Sequence, residues 1–322
     1  MILVLTHQHD GSTRQILRWL DYFGKDFLVL HKHKDWLNIK SIDLQKESII
    51  FETRSTIFSL DEVESVFCRG GVIRISSFVK HPGTFKDFHT SLQYFMAAHS
   101  VAHIDTIIDT LFRKKAIGKN AGGRFNKILA LESAKKVGLT IPKTIFTTRK
   151  REALAFYDKE QQVITKSLDI NFEYNNYEKR EGFFQYTAKV SREQLELLPE
   201  TFGLTIFQAM IPKKYEIRTF FLNDTCYSFA IFSQQNKKTT VDYRCYDTEW
   251  MNRTVPFQLP KTIENKLILF MADSNLKTGS IDLIYGLDNR FHFLEVNPIG
   301  QFGYNSAINN YQLEKKIALE LV

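Results

Sequence analysis

The 322-residue chain is 43% hydrophobic, 13% aromatic and 25% charged, which excludes a disordered polypeptide and suits two or three α/β units rather than one small domain. Its 43 Lys and Arg against 36 Asp and Glu leave a formal charge of +7, which favours an acidic partner: nucleotide, anionic peptide or nucleic acid. Cys68, Cys226 and Cys245 are odd in number, widely spaced and without a CxxC pair, so neither a disulfide framework nor a structural zinc site is indicated, and a reducing compartment is expected.

The opening Met1-Ile2-Leu3-Val4-Leu5 is too short for a signal peptide's apolar core and has no basic leader, so it reads as a first buried strand. No apolar run reaches bilayer-spanning length; the expectation is a soluble, cytoplasmic protein without a membrane partner. A strand over residues 2–6, a helix from a Ser12 cap to Phe23, and strands over 27–30, 49–51 and 65–69 alternate in the manner of a parallel sheet. A helix over about 85–112 follows, and the basic, glycine-bearing stretch 113–124 marks a first boundary. The next helix, over about 125–137, ends at Gly138, and Pro142 prevents its resumption. Strands over 144–147 and 163–166 flank a helix beginning near Arg149. Residues 173–180 are polar and tyrosine-rich, and 182–190 reads as a strand leaving a hairpin turn. Further strands are expected over 206–209, 215–222 and 227–232, then a helix over about 262–276 and a closing helix near 311–321.

The most informative stretch is Phe293-Leu294-Glu295-Val296-Asn297-Pro298. On a strand, Glu295 and Asn297 point to one side while Leu294 and Val296 pack behind. Residues 279–285 form a second strand candidate, with 287–290 as the turn; if Asp288 and Asn289 are its two central residues, Asp282 faces Glu295. Two facing carboxylates repel unless a positive charge lies between them, and oxygen ligands this close suit magnesium. Lys127 and Lys166 could each place a point charge on a phosphate, or be ordinary solvated surface lysines. Glu216 and Arg218 share a strand face after the Pro212 bend; they could serve a ribose and a phosphoryl group, or be an ordinary surface pair.

Taken in order, Lys127, Lys166, Gln208 to Ile211, Glu216-Ile217-Arg218, Asp282 and Glu295-Val296-Asn297 resemble the ATP-grasp superfamily over most of the chain. More narrowly, Asn126-Lys127-Ile128-Leu129, Gly138-Leu139-Thr140-Ile141-Pro142, Gly279-Ser280-Ile281-Asp282 and the run through Gly300-Gln301-Phe302 resemble the grasp-with-spasm peptide maturases, relatives of the microviridin-type ligases that make graspetides, or ω-ester peptides. The resemblance implies a mixed α/β and α+β chain: a Rossmann-like pre-ATP-grasp domain (1–115), a central domain with a peptide-binding hairpin (116–205), and a C-terminal ATP-grasp domain with the magnesium site (206–322). It implies that Asp282, Glu295 and Asn297 hold Mg2+, that Lys127 and Lys166 contact ATP phosphates, and that Gln208, Ala209 and Ile211 lie at the adenine. Glu216 is then the ribose ligand and Arg218 the stabiliser of the transferring phosphoryl group. Asp242-Tyr243-Arg244 resembles the family's DxR motif, with Tyr where Trp is frequent, and ties Asp242 and Arg244 to the core peptide.

The activity so implied is macrocyclisation of a ribosomally made precursor peptide: Glu or Asp side chains become acyl phosphates, which Thr or Ser hydroxyls, or a Lys amine, attack. The alternatives are an ATP-grasp ligase joining an amino acid to a small molecule or protein tail, and a non-catalytic peptide-binding module. Tyr174, Phe183, Phe184 and Tyr186 in the central hairpin are candidates for leader-peptide recognition, or equally the subdomain's own core. Phe85, Phe88, Phe95 and Phe112 read as core or as a homodimer interface. The His7/His9, His31/His33 and His99/His103 pairs lack accompanying acidic or cysteine ligands for zinc. The Lys237-Lys238 and 113–115 clusters read as solvated or substrate-steering rather than as nucleic-acid contacts.

Overall fold

The computed structural model describes residues 1–71, 73–76, 90–118, 126–168, 173–176, 181–184, 187–234, 252–298 and 300–322, without the side chains of 90–94, 173–176 and 181–184. Two compact units emerge: Met1–Gly123 together with Gln301–Val322, and Arg124–Gly300. The division differs from the expected three domains at both ends, because 115–118 completes the first unit's sheet and the last 22 residues return to that unit.

In the first unit, β1 (Ile2–Thr6), α1 (Gly11–Tyr22) and β2 (Phe27–His31) form a parallel strand–helix–strand unit. All five residues of β1 are buried, as a central parallel strand covered on both faces requires. The α1 cap is Asp10, not Ser12: its carboxylate accepts from the N–H groups of Ser12 (3.0 Å) and Thr13 (3.3 Å). An antiparallel meander follows, with β3 (Leu37–Asp43), β4 (Ser48–Thr53) and β5 (Ile57–Ser59). Then come β6 (Ser65–Arg69), α2 (Thr90–Leu111) and β7 (Lys115–Gly118), which complete a parallel sheet in the order β2-β1-β6-β7. The expected start of α2 at residue 85 lies outside the described residues. No helix among the described residues is long and apolar enough to cross a membrane.

The second unit opens with α3 (Lys127–Lys136), capped by Asn126 and closed by Gly138 at φ +79°. Leu139 N–H donates to Ala134 O and Gly138 N–H to Lys135 O, a Schellman closure. Next are β8 (Thr144–Arg149), α4 (Lys150–Glu160), β9 (Val163–Lys166), the hairpin β10 (Glu173–Asn176) and β11 (Glu181–Phe184), β12 (Ala188–Val190), α5 (Arg192–Glu196) and β13 (Thr201–Ala209). The sheet order is β12-β9-β13-β8, all antiparallel. The stretch read as one strand over 182–190 is thus two: β11 pairs with β10 and β12 with β9.

The remaining strands β14 (Lys213–Leu222), β15 (Thr225–Phe232), β16 (Arg253–Phe257), β17 (Thr278–Gly286) and β18 (Phe291–Asn297) make a five-stranded antiparallel sheet, with α6 (Lys261–Asp273) between β16 and β17. One face packs on α3 and α6 through Ile217, Phe221, Ile281, Leu283, Phe293 and Val296 against Ala134, Leu267, Phe270 and Met271. The Phe270 and Phe293 rings lie 4.7 Å apart. The alternate residues of β14, β17 and β18 are thereby turned to the other face. The chain ends in α7 (Gly303–Ile308) and α8 (Leu313–Leu321), where Ser65 Oγ donates to Leu321 O at 2.7 Å within the first unit.

Candidate active site

The register of the five-stranded sheet sets the site. Arg218 on β14 pairs with Asp282 on β17, which pairs with Glu295 on β18, so three charged residues form one row across three strands. The expected facing of Asp282 and Glu295 is present, but by another route. Gly286 N–H bonds Arg290 O, and the loop has three residues, Leu287, Asp288 and Asn289, with Asn289 left-handed at φ +60°. That loop alone shifts the pairing by one. A bulge restores it: Leu283 pairs with Phe293 and Asp282 with Glu295, leaving Leu294 as the extra residue. Val296 packs in the core as expected, whereas Leu294 lines the cleft beside Glu295.

Each carboxylate of the row meets cations. Arg218 Nη1 lies 2.9 and 3.1 Å from the two Asp282 oxygens. Glu295 Oε2 lies 3.4 Å from Lys127 Nζ, at the first turn of α3, and 3.7 Å from Lys166 Nζ, at the end of β9. Lys127 Nζ also donates to Ser167 O at 2.7 Å. Glu216, two residues before Arg218, is ion-paired with Lys213 and accepts from Ser233 Oγ at 2.8 Å. Burial pushes the Glu216 carboxyl above its ordinary range; Lys213 and Ser233 oppose this, and the Asp282 charge adds to it.

Lys166, Lys189, Lys213, Glu216, Asp282 and Glu295 line a cleft of about 870 Å³, counted to its open mouth, between the four- and five-stranded sheets. With Lys213 paired to Glu216, Lys166 and Lys189 of the lining, together with Lys127 and Arg218 beside it, set four cations against Asp282 and Glu295, an excess suited to a polyanion. The donors also fit a hard dication. Asp282, Glu295 and the amide of the exposed Asn297, opposite Ser280, all offer oxygen, and no cluster of three His, Cys, Asp or Glu occurs among the described residues. Magnesium takes such a sparse set, because it keeps positions for water and phosphate oxygens.

The strand-linking segment after β13 forms another wall. Ala209 N–H donates to Lys143 O and Met210 N–H to Gln162 O, both at 2.9 Å. Of the backbone amides of Ala209, Met210 and Ile211, two are thus engaged, and Ile211 N–H is the one without a partner among the described residues. Gln208 is buried, its amide donating to Thr144 Oγ1 at 2.9 Å. Lys127, Lys166, Gln208, Ala209, Ile211, Glu216, Arg218, Asp282 and Glu295 are therefore gathered in one region.

Asp242, Arg244 and Tyr186 lie outside the described residues. Tyr174 and Phe183 are register partners in the β10–β11 hairpin and Phe184 pairs with Glu173, their side chains lying outside the description. Sequence reasoning passed over Lys213, Lys189 and Ser233. Lys213 is three residues from Glu216, a spacing that puts both on one face only because β14 is bulged between Lys213 and Tyr215. His103 is an acceptor, taking Ile39 N–H at 3.1 Å, and burial holds its pKa down, with His99 adding to the effect. The glycine of Gly300-Gln301-Phe302 has a steric cause, since a Cβ there would fall 2.2 Å from Ser280 Cβ. Phe302 is 3% exposed in the first unit, with the Arg69 guanidinium 5.2 Å from its ring centre.

No protein-family model matches the sequence, and no curated protein matches it. Solved structures do. The macrocyclase MdnC from Microcystis aeruginosa MRC, bound with precursor peptide MdnA, is 24% identical, with a TM-score of 0.77 over 100% of this chain and 99% of that one. The RiPP-associated ATP-grasp ligase of Chryseobacterium gregarium, in complex with ADP and a leader and core peptide, is 22% identical, with a TM-score of 0.76 over 99% and 94%. The ATP-grasp ligase PsnB, complexed with minimal precursor, Mg and ADP, is 14% identical, with a TM-score of 0.67 over 99% and 96%. The chain shares the fold of these structures along 99–100% of its length.

Proposed function

We propose that the chain is an ATP- and Mg2+-dependent macrocyclase of a ribosomally made precursor peptide. The observation that carries this reading is the Arg218–Asp282–Glu295 row with Lys127 and Lys166 closed upon it. A fold shared along its length with ligases whose structures hold ADP, magnesium and leader or precursor peptides supports it.

The reaction follows from the charges. A side-chain carboxylate of the peptide is a poor acyl donor until its oxygen is made a leaving group. That oxygen attacks the γ-phosphorus of ATP, the bond to the bridging oxygen breaks, and ADP departs. A Thr or Ser hydroxyl, or a Lys amine, then attacks the acyl carbon and loses its proton as phosphate leaves, closing an ester or amide ring. Asp282, Glu295 and Asn297 would hold the metal, which when bound would supply positive charge to offset that of the phosphates. Lys127 and Lys166 release Glu295 to offset phosphate charge, and Arg218 exchanges Asp282 for the transferring phosphoryl group. Ile211 and the carbonyls around it receive the adenine, and Glu216 the ribose.

The β10–β11 hairpin takes the leader, through Tyr174, Phe183 and Phe184, with Tyr186 contributing to the same recognition, while Asp242 and Arg244 handle the core. The molecule works in the cytoplasm as a homodimer, the pairing through α2, on which Phe95 is 63% exposed. Incubation with ATP, Mg2+ and the cognate precursor is the test. Each ring should remove one water from the peptide mass with release of one ADP, and an unchanged mass with a verified substrate refutes the proposal.

A further inference from the structure

Two side chains outside that assignment hold Glu216. The Lys213 ammonium and the Ser233 hydroxyl both converge on its Oε1, while Oε2 has no partner among the described residues and belongs to a side chain lining the cleft. Neither donor is placed by chance. The β14 bulge brings Lys213 onto the face of Glu216, and Ser233 directly follows β15, whose Ile231 is the register partner of Glu216.

We infer that Lys213 and Ser233 are positioning residues for nucleotide recognition, pinning one oxygen of Glu216 so that the other stands in the cleft as a fixed acceptor for a ribose hydroxyl. The inference rests on the nucleotide reading of the site. Lys213 and Glu216 are only 5% and 8% exposed. A buried ion pair gains little for folding over an apolar pair of equal volume, so a pair kept at the wall of a cleft points to use there. An ionised carboxylate accepts only, and with Oε1 doubly bonded it cannot rotate away without breaking both bonds. A hydroxyl arriving at Oε2 then meets an acceptor already oriented, with no side-chain ordering left to oppose binding.

Calorimetric titration with ATP and with 2′,3′-dideoxy-ATP, both with Mg2+, isolates the ribose contribution. The wild-type protein should prefer ATP by roughly tenfold or more. Lys213→Met should lose most of that preference while its affinity for the dideoxy nucleotide stays within about twofold, and Lys213→Arg should recover part of it. Ser233→Ala removes a hydroxyl alone and should show the same loss in smaller measure; it decides the matter if Lys213→Met does not fold. Equal weakening of both nucleotides, an unchanged preference in the variants, or a wild-type protein indifferent to the hydroxyls overturns the inference. Failure of the wild-type protein to bind either nucleotide refutes the ATP reading itself, a separate result.

Discussion

Glu295→Gln keeps the shape of the side chain and removes only its charge. Glu295 Oε2 lies 3.4 and 3.7 Å from the Lys127 and Lys166 ammonium groups, with the Glu295 side chain 15% exposed. At an effective dielectric constant of about 20, the two contacts carry about 5 and about 4.5 kcal/mol of raw attraction. Desolvation offsets much of this, as does the Asp282 carboxylate facing Glu295 across the ladder. Removing the charge leaves two ammonium groups without their shared counter-ion, so a net loss of about 2–3 kcal/mol is expected in the nucleotide-free protein. For a unit of this size the melting temperature should fall by roughly 4–12 °C, read by scanning calorimetry without metal or nucleotide. Peptide-dependent ADP release should drop by about 100-fold or more, since one of the two carboxylates proposed to hold the metal is gone. A variant that melts above the wild type would mean that Asp282–Glu295 repulsion outweighs both lysines, and the charge argument fails.

Other substitutions separate the parts of the molecule. Arg218→Lys keeps a cation but not the planar fork, so kcat should fall by about 100- to 1,000-fold while KM for ATP changes little, in steady-state ADP release. Burial works against the charge of Asp10, yet Arg69 and Thr13 together hold its carboxyl below the usual range. Its stabilising contribution is therefore complete above about pH 4 and lost as pH falls further. Asp10→Asn should cost about 3 kcal/mol at pH 7 and flatten the acid limb of a melting-temperature profile; an unchanged acid limb would contradict this. Gly300→Ala drives a Cβ to 2.2 Å from Ser280 Cβ and should cost about 1–3 kcal/mol by chemical denaturation. Adding Ser280→Gly should return most of that loss, and no recovery would show that the contact is not the cause.

What could be read in advance was the regular part of the chain. β1 announced itself because residues 2–6 are buried without a break, and α3 because Asn126, Gly138 and the apolar residues between them agree on its limits. Bulges and edges were harder. β3 carries a register shift between Ile39 and Ser41, so the apolar residues Leu37, Ile39 and Ile42 break the two-residue period that marks a strand. β16 contains Pro256, which reads as a strand breaker yet is tolerated because β16 is an edge of the sheet. β7 has four residues, Lys115–Gly118, and reads as part of a basic linker, although it is the last strand of the parallel sheet. The lysines of the site were legible as residue types, but their shared target, Glu295, depends on a three-dimensional approach of α3, β9 and β18 that no local pattern carries.

The pairing of Asp282 with Glu295 shows how such a site can be right in outcome and different in cause. A two-residue turn at Asp288 and Asn289 would place the two carboxylates opposite each other with unbroken alternation, sending Leu294 to the helix-packed face. The three-residue loop and the bulge reach the same pairing by two opposite shifts, but the side chains are dealt differently. Phe293 and Val296 both remain in the core while Leu294 and Glu295 both face the cleft. The extra residue thus lets an apolar side chain stand beside Glu295 without costing the core a member. Water is displaced next to Glu295, and its charge interactions with Lys127 and Lys166 act in a lower dielectric than an open hairpin would allow. The bulge that a sequence pattern hides is therefore the feature that lets one strand both seal a core and present a charge.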